Sequence, residues 1–162
     1  MQPKDLSETQ LHFEVERQLT RYVQCIDDDR LEAWPDFFTE ACVYRLIARE
    51  NAERNLPIAA IFCDSKRMLI DRVVSLRHAN VYERHYYRHL VSSIAVLQVT
   101  DEVITVKSHY AVYRTRTNGA TEIYNTGTYL DEMVVQDDRW LFQKKIVTFD
   151  TNRIDSLLVT PI

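Results

Sequence analysis

From about residue 87 to residue 149 the hydrophobic period is two, and turn signals interrupt that run. Residues 103–116 and 121–135 are rich in β-branched and aromatic side chains and join across Asn118-Gly119, the strongest short hairpin signal. Asp137-Asp138 then offers a second turn into residues 139–149. Strands joined by tight turns run antiparallel, because a parallel neighbour needs a crossover of a dozen or more residues. The C-terminal half is therefore an antiparallel meander with a face to cover, and the covering layer has to come from the N-terminal half.

That half supplies three helical segments. Ser7-Glu8-Thr9-Gln10 is a capping-box pattern, and behind it Leu11, Val15, Leu19, Tyr22 and Ile26 recur on one helix face. Asp27-Asp28-Asp29 stops that helix, since carboxylates are unfavourable at a helix C-terminus. Asp29 followed by Glu32 suits a second cap, for a short helix through Leu31, Trp34, Phe37 and Phe38 with Pro35 limiting its length. Residues 41–49 read as a first strand, and Glu50 to Asn55, closed by Pro57, as a loop. Asp64 or Ser65 can cap a third helix with Met68, Leu69, Val73 and Leu76 on its apolar side. Helices on one face of an antiparallel sheet make an α+β fold. With no linker, repeat or low-complexity run, residues 1–162 are expected to form one domain.

Composition removes several classes of function. Gly119 and Gly127 are the only glycines, too few for a dinucleotide fingerprint or a phosphate-cradling loop. Lys plus Arg is 20 and Asp plus Glu is 24, a net charge of −4 with no basic stripe, which argues against nucleic-acid binding through phosphate neutralisation. Cys25, Cys42 and Cys63 are widely spaced and odd in number, and read as buried free thiols in a reducing compartment. The start, Met1-Gln2-Pro3-Lys4-Asp5, lacks a signal-peptide pattern, and no apolar run approaches the ~20 residues that span a bilayer. A soluble, cytoplasmic protein is expected, with no membrane partner.

Hairpin register fixes which side chains share a face. With Asn118-Gly119 as a two-residue loop, Ile104 faces Met133, Tyr110 faces Gly127, Val112 faces Asn125 and Arg114 faces Ile123. With Asp137-Asp138 as another, Met133 faces Phe142, Tyr129 faces Ile146 and Asp131 faces Lys144. One face then collects Ile104, Val106, Tyr110, Val112, Ile123, Tyr129, Met133, Val135, Trp140, Phe142 and Ile146. Arg114, Asn125, Asp131, Lys144 and Asp150 are scattered within it. Such polar groups either pair internally or at the sheet rims, or they line a pocket. Gly127 opposite Tyr110 leaves room for the ring or a bend in the strand.

The densest polar cluster is Arg84-His85-Tyr86-Tyr87-Arg88-His89. In an extended chain its two histidines share a face but lie ~13 Å apart, too far for one metal. A hydrogen-bonded or subunit-contacting cluster is the better reading. His109 falls on the opposite sheet face, against Thr128. No G-x-S-x-G motif, Rieske ligand pattern or two-His-one-carboxylate set is present. No catalytic, cofactor or metal residue is assigned to this chain.

Several segments resemble one family. Asp29-x-x-x-x-Trp34-Pro35-Asp36-Phe37-Phe38-Thr39-Glu40-x-Cys42-x-Tyr44 is similar to the helix-to-strand entry of the small (beta) subunits of Rieske-type aromatic-ring-hydroxylating oxygenases. Asp64-Ser65-Lys66-Arg67-Met68-Leu69-x-Asp71-Arg72-Val73 resembles their third helix. Arg88-His89-Leu90-Val91-Ser92-Ser93-Ile94 resembles their Arg-His-aliphatic-Val-x-Asn-Val segment, with Ser93 in place of the usual asparagine. Tyr86 stands where an arginine is common, and Asp150, Leu157 and the apolar end also fit. The resemblance spans roughly residues 10–162 and is nearest to the salicylate 5-hydroxylase and terephthalate dioxygenase types.

This resemblance implies a cone-shaped fold of the nuclear-transport-factor-2 type and assembly with a large (alpha) subunit, three of each. It also implies that the Rieske [2Fe-2S] cluster and mononuclear Fe(II) sit on the large subunit, with NAD(P)H electrons arriving through a separate reductase and ferredoxin. The beta subunit is then structural, serving hydroxylation of a carboxylated monocyclic aromatic. Trp34, Tyr82, His85, Tyr86, Tyr87, Arg88 and Arg114 are the interface candidates, because aromatics and Arg dominate interface energetics. Two other readings stay open. One is a stand-alone dehydratase or isomerase of the same fold using Asp131, Tyr110, Tyr129 and Asn125. The other is a binding module for a small aromatic ligand.

Overall fold

The structure, a computed structural model, describes residues 2–79, 82–151 and 160–162. The helix expected behind Ser7 is α1, Glu8–Asp27. Its capping box is complete: Ser7 Oγ accepts the Gln10 N–H, and Gln10 Oε1 accepts the Ser7 N–H at 3.0 Å. Leu11, Val15, Leu19, Tyr22 and Ile26 are all buried, as the spacing requires. The second helical segment is a 3-10 helix, Leu31–Phe37, and Phe38 already belongs to strand β1, Phe38–Ala48. Asp29 does not cap it. Its backbone is left-handed (φ 55°) and its carboxylate goes to Arg77 instead, at 2.9 Å.

The stretch expected as a loop contains one helical turn, α2, Arg49–Glu53, followed by the short strand β2, Ile61–Cys63. Helix α3, Lys66–His78, starts after Ser65, which occupies the cap position without a side-chain bond. It buries Leu69, Val73 and Leu76, whereas Met68 faces solvent, one position off the apolar stripe. Leu157 lies outside the described residues.

Four long strands follow: β3, His85–Val99; β4, Val103–Arg116; β5, Thr121–Gln136; β6, Arg139–Phe149. The sheet order is β2-β1-β6-β5-β4-β3, antiparallel except where β1 pairs with β6. The fold is the expected α+β arrangement, a curved sheet with α1 across its inner face. Tyr22 of α1 meets the rings of Phe142, Phe38 and Tyr129 edge-on, at 5.3, 6.2 and 6.5 Å between centroids. Trp34 packs edge-on against Tyr44 at 5.2 Å and Phe38 at 5.5 Å, so one aromatic layer joins helix, 3-10 turn and sheet.

The expected register holds from Val103 to Val112 in the first hairpin, away from its turn, and from Gln136 to Met133 in the second, next to its turn, and shifts by one residue elsewhere. Ile104–Met133, Tyr110–Gly127 and Val112–Asn125 pair as expected, but Arg114 faces Glu122 rather than Ile123. The loop holds one residue more than a two-residue turn: the Gly119 N–H donates to Arg116 O, and Gly119 takes φ +85°. A bulge between Val112 and Tyr113 then restores the register. In the second hairpin Asp137 and Asp138 both have positive φ (50° and 56°), the two-residue turn expected there. Met133 faces Phe142, but a bulge between Met133 and Glu132 sets Asp131 against Lys145 and Tyr129 against Val147. Lys144 and Ile146 therefore leave the inner face, while Lys145 and Val147 join it fully buried. Ile123 and Asp150, also expected on that face, are exposed.

Gly127 is required by close packing. A Cβ there would lie 2.0 Å from Thr148 O and 2.9 Å from Tyr110 Oη, so the strand approaches its neighbour closely under the ring.

Candidate functional site

Alternation along β3 sorts the polar cluster into two sets. Tyr82 and Tyr86 are exposed, Tyr86 beneath the Arg84 guanidinium at 5.7 Å, and Arg88 is exposed beside them. His85 is half-buried, with Nδ1 2.8 Å from Glu83 O and its ring 5.8 Å from that of Tyr82. Together Tyr82, Arg84, His85 and Tyr86 rim a cavity of about 360 Å³ whose floor includes Asp27, Tyr87 and Thr160.

Tyr87 and His89 point the other way, into the cone. Tyr87 is buried and stacks on Tyr124 at 5.2 Å. Arg114 is buried as well, its guanidinium 4.5 Å from the Tyr124 ring and bonded to Glu122 Oε1 at 2.6 Å. That ion pair holds the Glu122 carboxyl below its usual range. Of the seven interface candidates, Trp34, Tyr87 and Arg114 thus lie inside this chain: Trp34 is fully enclosed by the aromatic layer, and the other two by the β3–β4–β5 packing. Their side chains are spent on this chain's own core. Tyr82, His85, Tyr86 and Arg88 remain at the surface.

His89 makes a contact that the sequence reading missed. Its Nδ1 is 2.6 Å from Asp27 Oδ1, and its backbone N–H donates to Asp27 Oδ2 at 2.8 Å. The His89 side chain is fully buried and that of Asp27 nearly so. Asp27, the last residue of α1, therefore ties the helix end to the edge strand β3. Strand alternation would have placed His89 inward with Tyr87, but nothing local marks Asp27 apart from the two aspartates after it.

Deeper in the cone, Lys145 Nζ lies 3.0 and 3.1 Å from the Asp131 oxygens, both side chains fully buried. The ammonium also faces the rings of Tyr129 at 3.7 Å, Tyr22 at 4.5 Å and Phe142 at 4.6 Å. Burial pushes Asp131 up and Lys145 down, each toward its neutral form, and their mutual attraction opposes both shifts. Tyr110 donates to Asn125 Oδ1 at 2.6 Å and stacks on Tyr129 at 4.5 Å. Burial raises the phenols of Tyr22, Tyr44, Tyr110 and Tyr129 far above their ordinary range, so all four hydroxyls stay protonated. Tyr22 and Tyr44 each donate to the main-chain oxygen of Ile162 at 3.0 Å, and Thr160–Ile162 is buried among them.

The groups named for a stand-alone enzyme are thus brought together, but Asp131 is locked to Lys145 and Asn125 to Tyr110. Among the described residues, no three His, Cys, Asp or Glu side chains are grouped to hold a metal ion, and no helix is long and apolar enough to cross a membrane. Burial also raises the Cys25, Cys42 and Cys63 thiols, that of Cys42 to about 11, which leaves them poor ligands and nucleophiles at neutral pH.

Comparison with known proteins adds the following. A family profile described as ring hydroxylating beta subunit matches residues 21–156. The anthranilate 1,2-dioxygenase small subunit of Burkholderia cepacia is 45% identical over 150 residues, covering 93% of each chain. Subunit beta 1 of the terminal oxygenase component of terephthalate 1,2-dioxygenase from Comamonas sp is 33% identical over 141 residues, covering 87% of this chain and 92% of its own. A crystal structure assigned to the beta subunit of an aromatic-ring-hydroxylating dioxygenase from Novosphingobium aromaticivorans superposes with a TM-score of 0.87 at 39% identity, covering 96% of this chain and 100% of that one. At the level of fold alone, a protein assigned as a scytalone dehydratase from the same organism matches with a TM-score of 0.68 at 17% identity, over 92% of this chain and 90% of its own.

Proposed function

Because this chain belongs to the ring-hydroxylating beta subunit family, whose members are subunits of oxidoreductases, we propose that it is the structural beta subunit of a multicomponent aromatic-ring oxygenase. Its partner is the large subunit, in an assembly of three of each, within the cytoplasm. The Rieske cluster and mononuclear iron belong to that partner, fed from NAD(P)H through a reductase and ferredoxin. When bound there, those groups supply electrons and activate oxygen. This chain's donor set does not fit them: the His89 Nδ1 is taken by Asp27 and the thiols are buried. No step of the reaction is therefore assigned to its residues.

The observation that carries this reading is the filled cone. Tyr22, Tyr44, Tyr129, Asp131 and Lys145 have no solvent exposure, and Ile162 closes over two of the tyrosines, so the groups named for a stand-alone enzyme are not open to a substrate. Polar and aromatic side chains that a scaffold can use are displayed outside instead. Tyr82, His85, Tyr86 and Arg88 sit at the start of edge strand β3, with Leu90 exposed further along it. Relatives named for anthranilate and terephthalate support a carboxylated monocyclic aromatic as the substrate, with salicylate in the same chemical class.

The test is co-expression with the large subunit and product analysis on anthranilate, salicylate and terephthalate. Oxygenation of at least one is expected, and the Tyr86→Ala/Arg88→Ala chain should bind the large subunit at least tenfold more weakly, ~1.4 kcal/mol. Turnover of none of the three overturns the substrate class. Unchanged association overturns the β3 contact.

A further inference from the structure

Helix α1 and the 3-10 turn pack on the inner face of the sheet, and the outer face is left open. There Leu90, Ile123 and Leu130 are exposed in mid-strand, at 54%, 64% and 43%. Strand pairing lines the outward side chains up in rows. Arg88, Tyr113 and Ile123 form one row, and Lys107, Leu130, Ile146 and Arg45 another. Along β4 the two rows lie ~20 Å apart, and Lys107 and Arg45 are ~14 Å apart across the strands.

Free charge in these rows has one sign. Arg88 and Lys107 are exposed, and neither meets an acid among the described residues. Arg45 donates to the main-chain oxygen of Leu56 at 3.1 Å, and its buried Nε has no partner. The acids bordering the face are already matched within the chain: Glu132 by Lys144 at 2.9 Å, Asp150 by Arg49, and Glu122 by Arg114 and Arg116. Glu102 lies off these rows, in the turn from β3 to β4. In a chain of net charge −4, a face with three cations that no acid matches differs from the rest of the surface.

An apolar centre with charges at its margin is the anatomy of a protein interface. The sign of those charges selects the occupant. Two copies packed through this face about a two-fold axis would bring cation against cation, which disfavours a second copy. Cations this far apart call for separate carboxylates rather than one small anion, and are too sparse for a phosphate backbone.

We propose that the outer sheet face is a second contact with the large subunit and takes an acidic surface there, with carboxylates for Arg88, Lys107 and Arg45 around an apolar patch that covers Leu90, Ile123 and Leu130. The inference rests on the subunit reading above and adds to it the face and the sign of the partner's charge. Arg88 belongs to both contacts and joins the edge at Tyr86 to the open face.

The test titrates the unaltered chain and its variants over an immobilised large subunit at about 50 and about 500 mM NaCl, with circular dichroism to check each fold. At low salt Lys107→Glu should weaken binding about tenfold, and Lys107→Arg less than about twofold. Arg21→Glu makes the same change in net charge at an exposed position on α1 and should shift affinity less than about threefold. High salt should weaken the unaltered chain about tenfold, and Lys107→Glu less. If Lys107→Glu loses its native spectrum, Lys107→Gln replaces it, with a loss of about threefold. Binding by the unaltered chain that ignores both salt and the loss of the Lys107 charge overturns the acidic contact and leaves the subunit reading standing. No binding by the unaltered chain overturns both. Self-association of the chain alone that Lys107→Glu abolishes assigns the face to a second copy, and equally overturns the proposal.

Discussion

Ser93 has a left-handed backbone, φ 52°, where β3 loses register against β4 between Ser92 and Ala95. Serine has no special tolerance for that conformation, whereas asparagine visits it routinely. An asparagine, as in the resembling Arg-His-aliphatic-Val-x-Asn-Val segment, suits that backbone conformation better than the serine here. Ser93→Asn should stabilise the chain by about 0.5 kcal/mol, read as a higher urea midpoint at unchanged slope. An unchanged or lower midpoint contradicts it. Single residues were unevenly legible from sequence. Gly127 was readable, because a glycine opposite a tyrosine already implied a close approach. Asp27 was not, because a carboxylate at a helix end looks like a solvated stop signal until the partner histidine is placed 62 positions away.

At the scale of elements, the capping box, the α1 stripe and the bounds of β4, β5 and β6 followed from local chemistry to within a residue, whereas β1 starts at Phe38 rather than at 41 and β2 was not read. Bulges were not either. A bulge is one extra residue with no compositional mark, yet it reverses the facing of every side chain beyond it. That is why Asp131 pairs with Lys145 instead of Lys144, and Arg114 with Glu122 instead of Ile123. The consequence is which lysine is buried: Lys144 now pairs with Glu132 on the half-exposed outer side of the sheet. Lys145 meets the Asp131 carboxylate in full burial. Desolvation there pushes both groups toward neutrality, so at neutral pH the pair is costly to bury. A carboxylate raised in the folded state favours folding most below its unfolded value and loses that advantage as pH rises; a depressed lysine loses it as pH falls from the alkaline side. Asp131→Asn alone leaves a buried ammonium unmatched and should cost about 3–5 kcal/mol, while Asp131→Leu with Lys145→Met should be neutral or stabilising. Urea unfolding of the three chains decides it. A double variant less stable than Asp131→Asn would contradict this view of the pair.

For the whole molecule, the cone is the argument. The same α+β frame serves proteins as different as an oxygenase subunit and a protein assigned as a dehydratase, so the frame alone does not select a function. The proposed scaffold role rests on how the interior is used: an aromatic layer, a locked ion pair and a segment of the chain itself fill the inside of the cone. Tyr82, Tyr86 and Arg88 are exposed where β3 begins, the strand at one end of the sheet order among the described residues. In the proposed assembly it is this edge that another subunit covers. Native mass spectrometry of the chain co-expressed with a tagged large subunit tests this most directly. The account predicts one dominant species with the mass of three copies of each. A large subunit that emerges alone and fully active, with this chain in a separate fraction, would contradict it.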